Sequence, residues 1–399
     1  MRGYGSVYER IERVWMNIKI KIVKNHSDLK SFVKFPFSMY ADHPYWTPPL
    51  LKEAIETFSP EKNPAYQQAE TRLFQAHNDQ KVVGRIAGIL SHAANEKYQT
   101  KNLRFGWFDT VEDYSVAEAL LNAVRGWALE EGLQTVTGPH GFTNFDPQGL
   151  LIEGFDQPSS IHSTYNFPYY AGFIENFGFV KEVDYVEIKS RPPNGILDER
   201  YIKIQKRFEK STKAKILHFK NKKKLVNMGN QIFDLLNAEY SEIYGVIPLS
   251  PDYIEYVKKK FISMINPDLI SLAVDSEGSL IGVLITIPSL TRAFKKANGR
   301  LLPFGWYYVM RGFKKSKVLD FLLIGVKEEY RKKGVPVLML ADLAQRAMAL
   351  GFTSAESAPM LENNLMVQSL HKYFDSCIHK RRRVYRLDIL RNNKHKLIH

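Results

Sequence analysis

The stretch Leu319 to Leu340, L-D-F-L-L-I-G-V-K-E-E-Y-R-K-K-G-V-P-V-L-M-L, reads as an apolar strand, a basic glycine turn and the start of a helix. Val318 to Val326 is too short to cross a membrane and too continuous for a half-exposed strand, so it predicts a buried strand. The polar turn Lys327 to Lys333 ends it. Gly334 can take backbone angles closed to other residues, and Pro336 suits a first helical turn, where a missing N–H costs nothing. Free N–H groups at that helix start, beside Arg331, Lys332 and Lys333, form an anion cradle suited to a pyrophosphate. Read alone, the same residues also fit an ordinary strand, turn and helix with a solvated basic turn.

The pattern V-x-x-x-x-R-x-x-G-x-P, from Val326 to Pro336, resembles the coenzyme A loop of the GNAT acyl-CoA N-acyltransferases, Q/R-x-x-G-x-G/A. Arg331 and Gly334 match, while Pro336 stands in place of the final Gly or Ala and removes one donor. The resemblance implies that Ile324, Gly325, Val326, Arg331, Lys332, Lys333, Gly334, Val335, Pro336 and Asn364 contact acyl-CoA or coenzyme A as co-substrate. It places the backbone N–H that polarises the thioester carbonyl near Gly325 and Val326. Downstream, Thr353 to Ala358 reads as a short strand broken by Pro359. Asn364, Val367 and Leu370 then fall at i, i+3 and i+6, which is similar to the GNAT pattern N-x-x-A-x-x-L-Y. His371 takes the place of that Tyr, often the acid that protonates the leaving thiolate. A thiol with a pKa of roughly 8.5 leaves with little help. Tyr373 is the other acid nearby, and a plain surface histidine is the alternative reading of His371. The last strand is expected over Arg382 to Leu390.

Composition narrows the classes. The chain is 44% hydrophobic, long enough for two or three domains. Its single cysteine, Cys377, excludes a disulfide framework and a cysteine-based metal site, which fits a reducing cytoplasm. Met1 to Asn17 is polar and no run approaches ~20 apolar residues, so a cytoplasmic protein, peripheral at most to a membrane, is expected. Residues 1–199 carry a net −5 and residues 200–399 a net +19 of the total +14. A basic field of that kind suits nucleic acid, an anionic membrane or an acidic ligand. With no nucleic-acid-binding motif, the expected partners are an acyl thioester donor and an amine acceptor, without nucleic acid.

An order of elements recurs. The first half reads as strands at Ile18 to Lys24, Leu73 to Ala76, Lys81 to Ser91 and Leu103 to Asp109, a helix at Val116 to Glu131 closed by Gly132, and a strand at Thr135 to Gly138. After a long loop come a helix at Pro168 to Phe177 and a strand at Glu182 to Lys189. The second half repeats this with a helix at Val226 to Tyr240 and strands at Ile270 to Asp275 and Leu280 to Ile287 before the strand–loop–helix. In the first copy Thr110 to Ser115 replaces the phosphate loop, and its acids Glu112 and Asp113 repel a pyrophosphate.

The expectation is an α/β chain of tandem GNAT-like (acyl-CoA N-acyltransferase) domains, each a mixed central sheet flanked by helices. It divides into an N-terminal extension (1–17), a degenerate GNAT-like domain (18–190), a linker (191–199) and a GNAT-like domain (200–391) carrying the acyl-CoA loop. F-P-F-S-M-Y at Phe35 to Tyr40, P-Y-W-T-P-P at Pro44 to Pro49, V-V-G-R-I-A-G at Val82 to Gly88, L-L-I-E-G-F at Leu150 to Phe155 and G-R-L-L-P-F-G-W at Gly299 to Trp306 narrow the resemblance to a bacterial tandem family. That family is similar to the bacterial ceramide synthases, which acylate a sphingoid base.

Between two expected strands, residues 290–317 form an insertion in which aromatic and aliphatic residues alternate with Lys and Arg. Such a segment suits peripheral contact with a membrane interface, the wall of an acyl tunnel, or packing on the other domain. The reaction implied is acyl transfer from a coenzyme A or carrier-protein thioester to a primary amine, possible acceptors including a long-chain base. The amine must lose a proton to attack. Candidate carboxylates are Glu356 and Glu362 in the second half and Asp146 and Glu153 in the loop Thr137 to Phe155, where each also fits a cap or ion pair. No metal is expected, because one His and scattered acids lack a ligand-pair spacing. The alternative is a catalytically inactive GNAT-fold ligand-binding or scaffold protein, with Pro336 and His371 as its marks.

Overall fold

Apolar runs bounded by turn residues pair into one continuous 14-stranded sheet in the computed structural model, which describes residues 17–195, 199–219, 221–262 and 264–389. Nearly all of the expected extension, the middle of the expected linker and Leu390 lie outside the described residues. The first half contributes β1 (Ile18–Ile22), β2 (Ala69–Asn78), β3 (Lys81–Ser91), β4 (Asn102–Thr110), β5 (Thr135–Gly138), β6 (Leu150–Glu153) and β7 (Val180–Arg191). The second contributes β8 (Lys215–Leu217), β9 (Ile270–Val274), β10 (Leu280–Pro288), β11 (Val318–Val326), β12 (Ser354–Ser357), β13 (Met360–Leu361) and β14 (Asp375–Asp388).

Each half builds an antiparallel meander that ends in a parallel pair, β4 with β5 and β11 with β12. The repeat extends to detail. Both fourth strands carry a bulge, opposite Arg85 to Ala87 in one half and opposite Ile285 to Thr286 in the other. In both halves a tyrosine at a helix C-cap, Tyr40 or Tyr240, reaches that strand with its hydroxyl.

The halves are not side by side in a simple way. The sheet order runs β1-β2-β3-β4-β5-β14-β7-β12-β11-β10-β9-β8, so the last strand of each half completes the sheet of the other. β14 lies between β5 and β7, and β7 between β14 and β12. Packing follows the same logic. Leu29, Phe32 and Phe58 share one buried core with Ile232, Leu235 and Val283, so apolar surface from both halves leaves water together.

Several elements differ from the sequence reading. β14 begins at Asp375 rather than Arg382, because its first half is polar and its charges are paired within the sheet rather than spaced as an apolar stripe. The long loop after β5 contains β6, which pairs with β14. The single helix expected over Val226 to Tyr240 is two helices, Lys222–Asn227 and Gly229–Glu239, meeting at Met228. Helices Glu199–Thr212 and Pro251–Phe261 are additional, the latter capped by the Ser250 hydroxyl and started by Pro251. The insertion forms two helices, Thr291–Ala297 and Gly305–Lys315.

Candidate active site

β11 and β12 pair only between Val318–Phe321 and Ser354–Ser357. Pro359 cannot donate to the ladder, and the chain turns away to pair β13 with β7. From Leu322 onward one edge of β11 therefore faces an opening. The Tyr240 hydroxyl fills part of it, accepting from the Ile324 N–H at 3.1 Å and donating to its carbonyl at 3.0 Å. Burial pushes that phenol up to about 12, so it stays protonated.

A cavity of about 310 Å³ passes through this opening. Sheet residues Ile285, Ile287 and Leu323, and Phe233, Val257 and Phe261 from the helices above them, make its wall apolar. On the far side of the sheet it reaches Leu340, Asn364 and His371. Its polar end comes from the first half, where Asn144, Asp146, Gln148 and His162 approach it. The site is thus completed by loops that the sequence places some 170 residues away from β11.

The loop after β11 makes the left-handed glycine turn into a helix that the sequence predicts. Gly334 adopts φ +88° as the N-cap of helix Val335–Ala349, and Pro336 sits in its first turn. Lys332 and Lys333 are exposed, with the Lys333 ammonium 4.8 Å from the Tyr330 ring centroid. Arg331 points elsewhere. Its guanidinium pairs with Glu239 and donates to the Val326 carbonyl at 2.9 Å. Phe208, from helix Glu199–Thr212, covers the glycine so closely that a Cβ there would lie 2.3 Å from the ring. Val335 is fully buried, and a Cβ on Gly325 would stand 3.1 Å from Leu236.

A row of charges crosses the sheet beside the cavity. Asp320 on β11 pairs with Glu356 on β12, and Glu356 with Lys189 on β7. Glu356 lies 3.5 Å from Lys189 and 3.9 Å from Lys380. Glu187 binds Lys380 at 3.0 Å and Arg382 at 2.6 Å, with all three side chains out of water. Burial opposes the Glu187 charge, but the two cations outweigh it and hold the carboxyl down at about 2.

Asp320 lacks such support. It is buried, and neither carboxylate oxygen has a hydrogen bond of good geometry, the nearby Ser289 hydroxyl being turned to Thr291. Burial, with Glu356 and Glu187 adding to it against Ser289 and Lys380, raises its carboxyl to about 7. Its cross-strand partner Ile287 and its chain neighbour Phe321 both line the cavity, and Asp320 itself stands behind that lining. A carboxyl that titrates near neutrality in an apolar setting is suited to accepting a proton from an amine.

The other expected residues separate into two sets. Asp146, Asn364 and His371 line the cavity. Asp146 accepts from the Thr143 N–H at 3.0 Å and its carboxyl is raised by burial. Asn364 caps helix Leu365–Ser369. His371 is not a surface histidine: its Nδ1 lies 2.7 Å from the Ser190 hydroxyl, and burial pushes the ring down to about 4, leaving it neutral at pH 7. Glu362 is ion-paired with Lys181 at 2.6 Å and Arg381 at 2.8 Å, and exposed Glu153 lies 3.3 Å from Arg381, both away from the cavity. Tyr373 packs against the second-half core, with the Lys372 ammonium 5.0 Å from its ring centroid. Asp320, Tyr240 and His162 are additions. Asp320 was visible as the one acid inside the apolar run of β11, whereas His162 and Tyr240 carry no spacing signal.

In the first half the corresponding opening is filled. The Tyr40 hydroxyl donates to Asp109 at 3.0 Å, Arg85 binds the same carboxylate at 2.7 Å, and the Thr110 N–H donates to the Tyr170 hydroxyl at 2.9 Å. Asp113 caps helix Tyr114–Glu130, its side chain accepting from the Ser115 N–H.

No protein-family model matches the chain. Among solved structures, it resembles a tandem GNAT protein from the clavulanic acid biosynthesis pathway, with TM-score 0.54 and 12% identity over 93% of this chain and 98% of that one. It also matches a GCN5-related glucosamine N-acetyltransferase region of a fungal multi-domain β-N-acetylglucosaminidase, with TM-score 0.56 and 12% identity over 93% of this chain and 38% of that one. The fold is therefore that of a tandem GNAT protein. Its sequence is similar to the bacterial ceramide synthase of Caulobacter vibrioides, 25% identical over 374 residues covering 91% of this chain and 95% of that protein. It is likewise similar to Protein YghO of Escherichia coli K12, 26% identical over 376 residues covering 93% and 95%.

Proposed function

We propose that this protein is an N-acyltransferase that moves an acyl group from a coenzyme A thioester to a long-chain primary amine, of the sphingoid type, at a membrane surface. The observation that carries the reading is the apolar cavity running through the β11–β12 opening, with an unpartnered buried carboxylate, Asp320, beside it. A cavity of about 310 Å³ with apolar walls on both sides of the sheet suits hydrocarbon chains better than a polar acceptor. The name of the Caulobacter relative supports the same class of acceptor.

In this reading Lys332, Lys333 and the loop backbone at Gly334 and Val335 hold the pyrophosphate, with Phe208 moving aside. Backbone near Gly325 and Val326 polarises the thioester carbonyl. Asp320 takes a proton from the amine, whose nitrogen attacks the carbonyl carbon as the C–S bond breaks and the thiolate leaves. Glu356 and Glu187 act on Asp320 by keeping its carboxyl basic. His371 and Asn364 border the thioester as neutral groups, and Asn144, Asp146 and His162 face the polar end of the acceptor.

The test is amide formation from palmitoyl-coenzyme A and a C18 amino diol in detergent micelles, read by free thiol and by mass spectrometry. Amide from the long-chain amine and little from a short water-soluble amine is the expected result. Thioester binding without amide from any amine would instead favour the inactive, ligand-binding alternative.

A further inference from the structure

The helical insertion is polarised in an unusual sense. Residues 291–317 hold eight Lys or Arg and no Asp or Glu. All eight cations, Arg292, Lys295, Lys296, Arg300, Arg311, Lys314, Lys315 and Lys317, are exposed, and among the described residues none has an acidic partner within ion-pair distance. Lys295 alone is satisfied by protein, donating to the Pro44 carbonyl. A charge that strong with no internal counter-ion calls for an external anionic surface.

The apolar residues of the same segment also face outward. Leu302 is 76% exposed, Phe304 69% and Trp306 52%, and Tyr307 and Met310 continue the patch one helical turn on. The inward side is already filled, since Phe294, Val309 and Phe313 pack with Leu290 and Leu50. Exposed aromatic and aliphatic groups in one contiguous element bordered by cations mark an interaction site rather than a random surface. Ring systems beside Lys and Arg match the bilayer interface, where rings lie at headgroup depth and ammonium groups meet phosphates. Among the described residues no helix is long and apolar enough to cross a membrane.

We infer that residues 291–317 dock this protein on an anionic lipid bilayer. Nucleic acid would meet the cations but would leave Leu302 and Phe304 without a role. The docking surface adjoins the cavity. Met264 lines the cavity and packs against the insertion's inner side, and Ile262 lines the cavity while 40% exposed. Docking therefore brings the cavity mouth to the interface, so that a lipid amine enters without crossing water. This last step rests on the lipid-acceptor reading, whereas the docking itself stands on the exposed residues.

Co-sedimentation of the full chain with vesicles of phosphatidylcholine alone, or with about 30% phosphatidylglycerol, tests it. The expected result is retention on the anionic vesicles only, weakened about tenfold by Leu302→Asp with Phe304→Asp and by Lys314→Glu with Lys315→Glu. Lys223→Glu with Lys224→Glu, exposed cations outside the insertion, should leave retention unchanged. Unaltered thermal midpoints would show that each variant folds. Equal retention by the Leu302/Phe304 variant, or equal loss in the Lys223/Lys224 control, overturns the proposal, as does preference for a duplex oligonucleotide over anionic vesicles. Vesicle binding without amide synthesis leaves the docking standing and removes the lipid-amine reading. Synthesis in micelles without vesicle binding does the reverse.

Discussion

Asp320 is the residue on which the proposed chemistry turns. A carboxyl held up at about 7 costs the fold stability when it ionises, because the folded state binds a proton that the unfolded chain has released. From the ordinary value near 3.8 up to about 7 the native state holds more protons, so this group's contribution falls as pH rises through that window. Asp320→Asn removes the penalty. Relative to wild type it should gain stability at pH 8 over pH 4 by up to about 4 kcal/mol, at about 1.4 kcal/mol per pKa unit, measured by urea unfolding at both pH values. Amide synthesis should fall by about 10²-fold or more, and the rising limb of the pH–rate profile near 7 should disappear. An unchanged profile in the variant would assign the base elsewhere. The nearby Glu356, Glu187 and Lys380 remain in the variant, so the comparison isolates one carboxyl.

At the scale of elements, the loop from Lys327 to Gly334 and the helix Glu199–Thr212 form one unit. Gly334 needs its positive φ, and Phe208 leaves no room for a side chain. Gly334→Val should cost roughly 1–3 kcal/mol of unfolding free energy from backbone strain and the forced shift of the ring. It should also weaken coenzyme A binding. Phe208→Ala has the opposite expected sign for the ligand. Removing the ring opens the cradle, and calorimetric titration should show coenzyme A binding several-fold more tightly than to wild type. Weaker binding to the alanine variant would mean that the ring supports the ligand rather than covering its site.

Strand exchange governs the whole molecule. With β14 seated between β5 and β7, neither half holds a complete sheet edge of its own. The full chain should unfold in one cooperative transition by calorimetry, and a fragment ending after β7 should lack native near-ultraviolet dichroism. Two separate transitions would show independent halves. The buried Glu187, Lys380 and Arg382 cluster joins the exchanged strands, so Glu187→Ala leaves Arg382 without a carboxylate and Lys380 with Glu356 alone at 3.9 Å, and should cost about 3–5 kcal/mol. Its depressed carboxyl adds stability that is fully present above the ordinary value of 4.5 and is lost as pH falls towards about 2. Acid unfolding of wild type should therefore steepen in that range and flatten in the variant.

By itself the sequence determined the elements whose signals are local. Val318 to Val326, Lys81 to Ser91 and Thr135 to Gly138 are strands at the positions their apolar runs predict, and Gly334 with Pro336 marks the start of the following helix. The tandem arrangement was legible too, because periodicity and turn chemistry repeat along the chain. Tertiary structure decided what depends on partners distant in sequence. The polar start of β14 becomes a strand only because Glu187 neutralises Lys380 and Arg382 from a strand nearly two hundred residues earlier. Glu153 and Glu362, chosen as carboxylates, are spent on surface ion pairs, while Asp320 is singled out by burial without a partner. Burial and pairing are properties of neighbours in space, and the exchange of the final strands is what makes those neighbours.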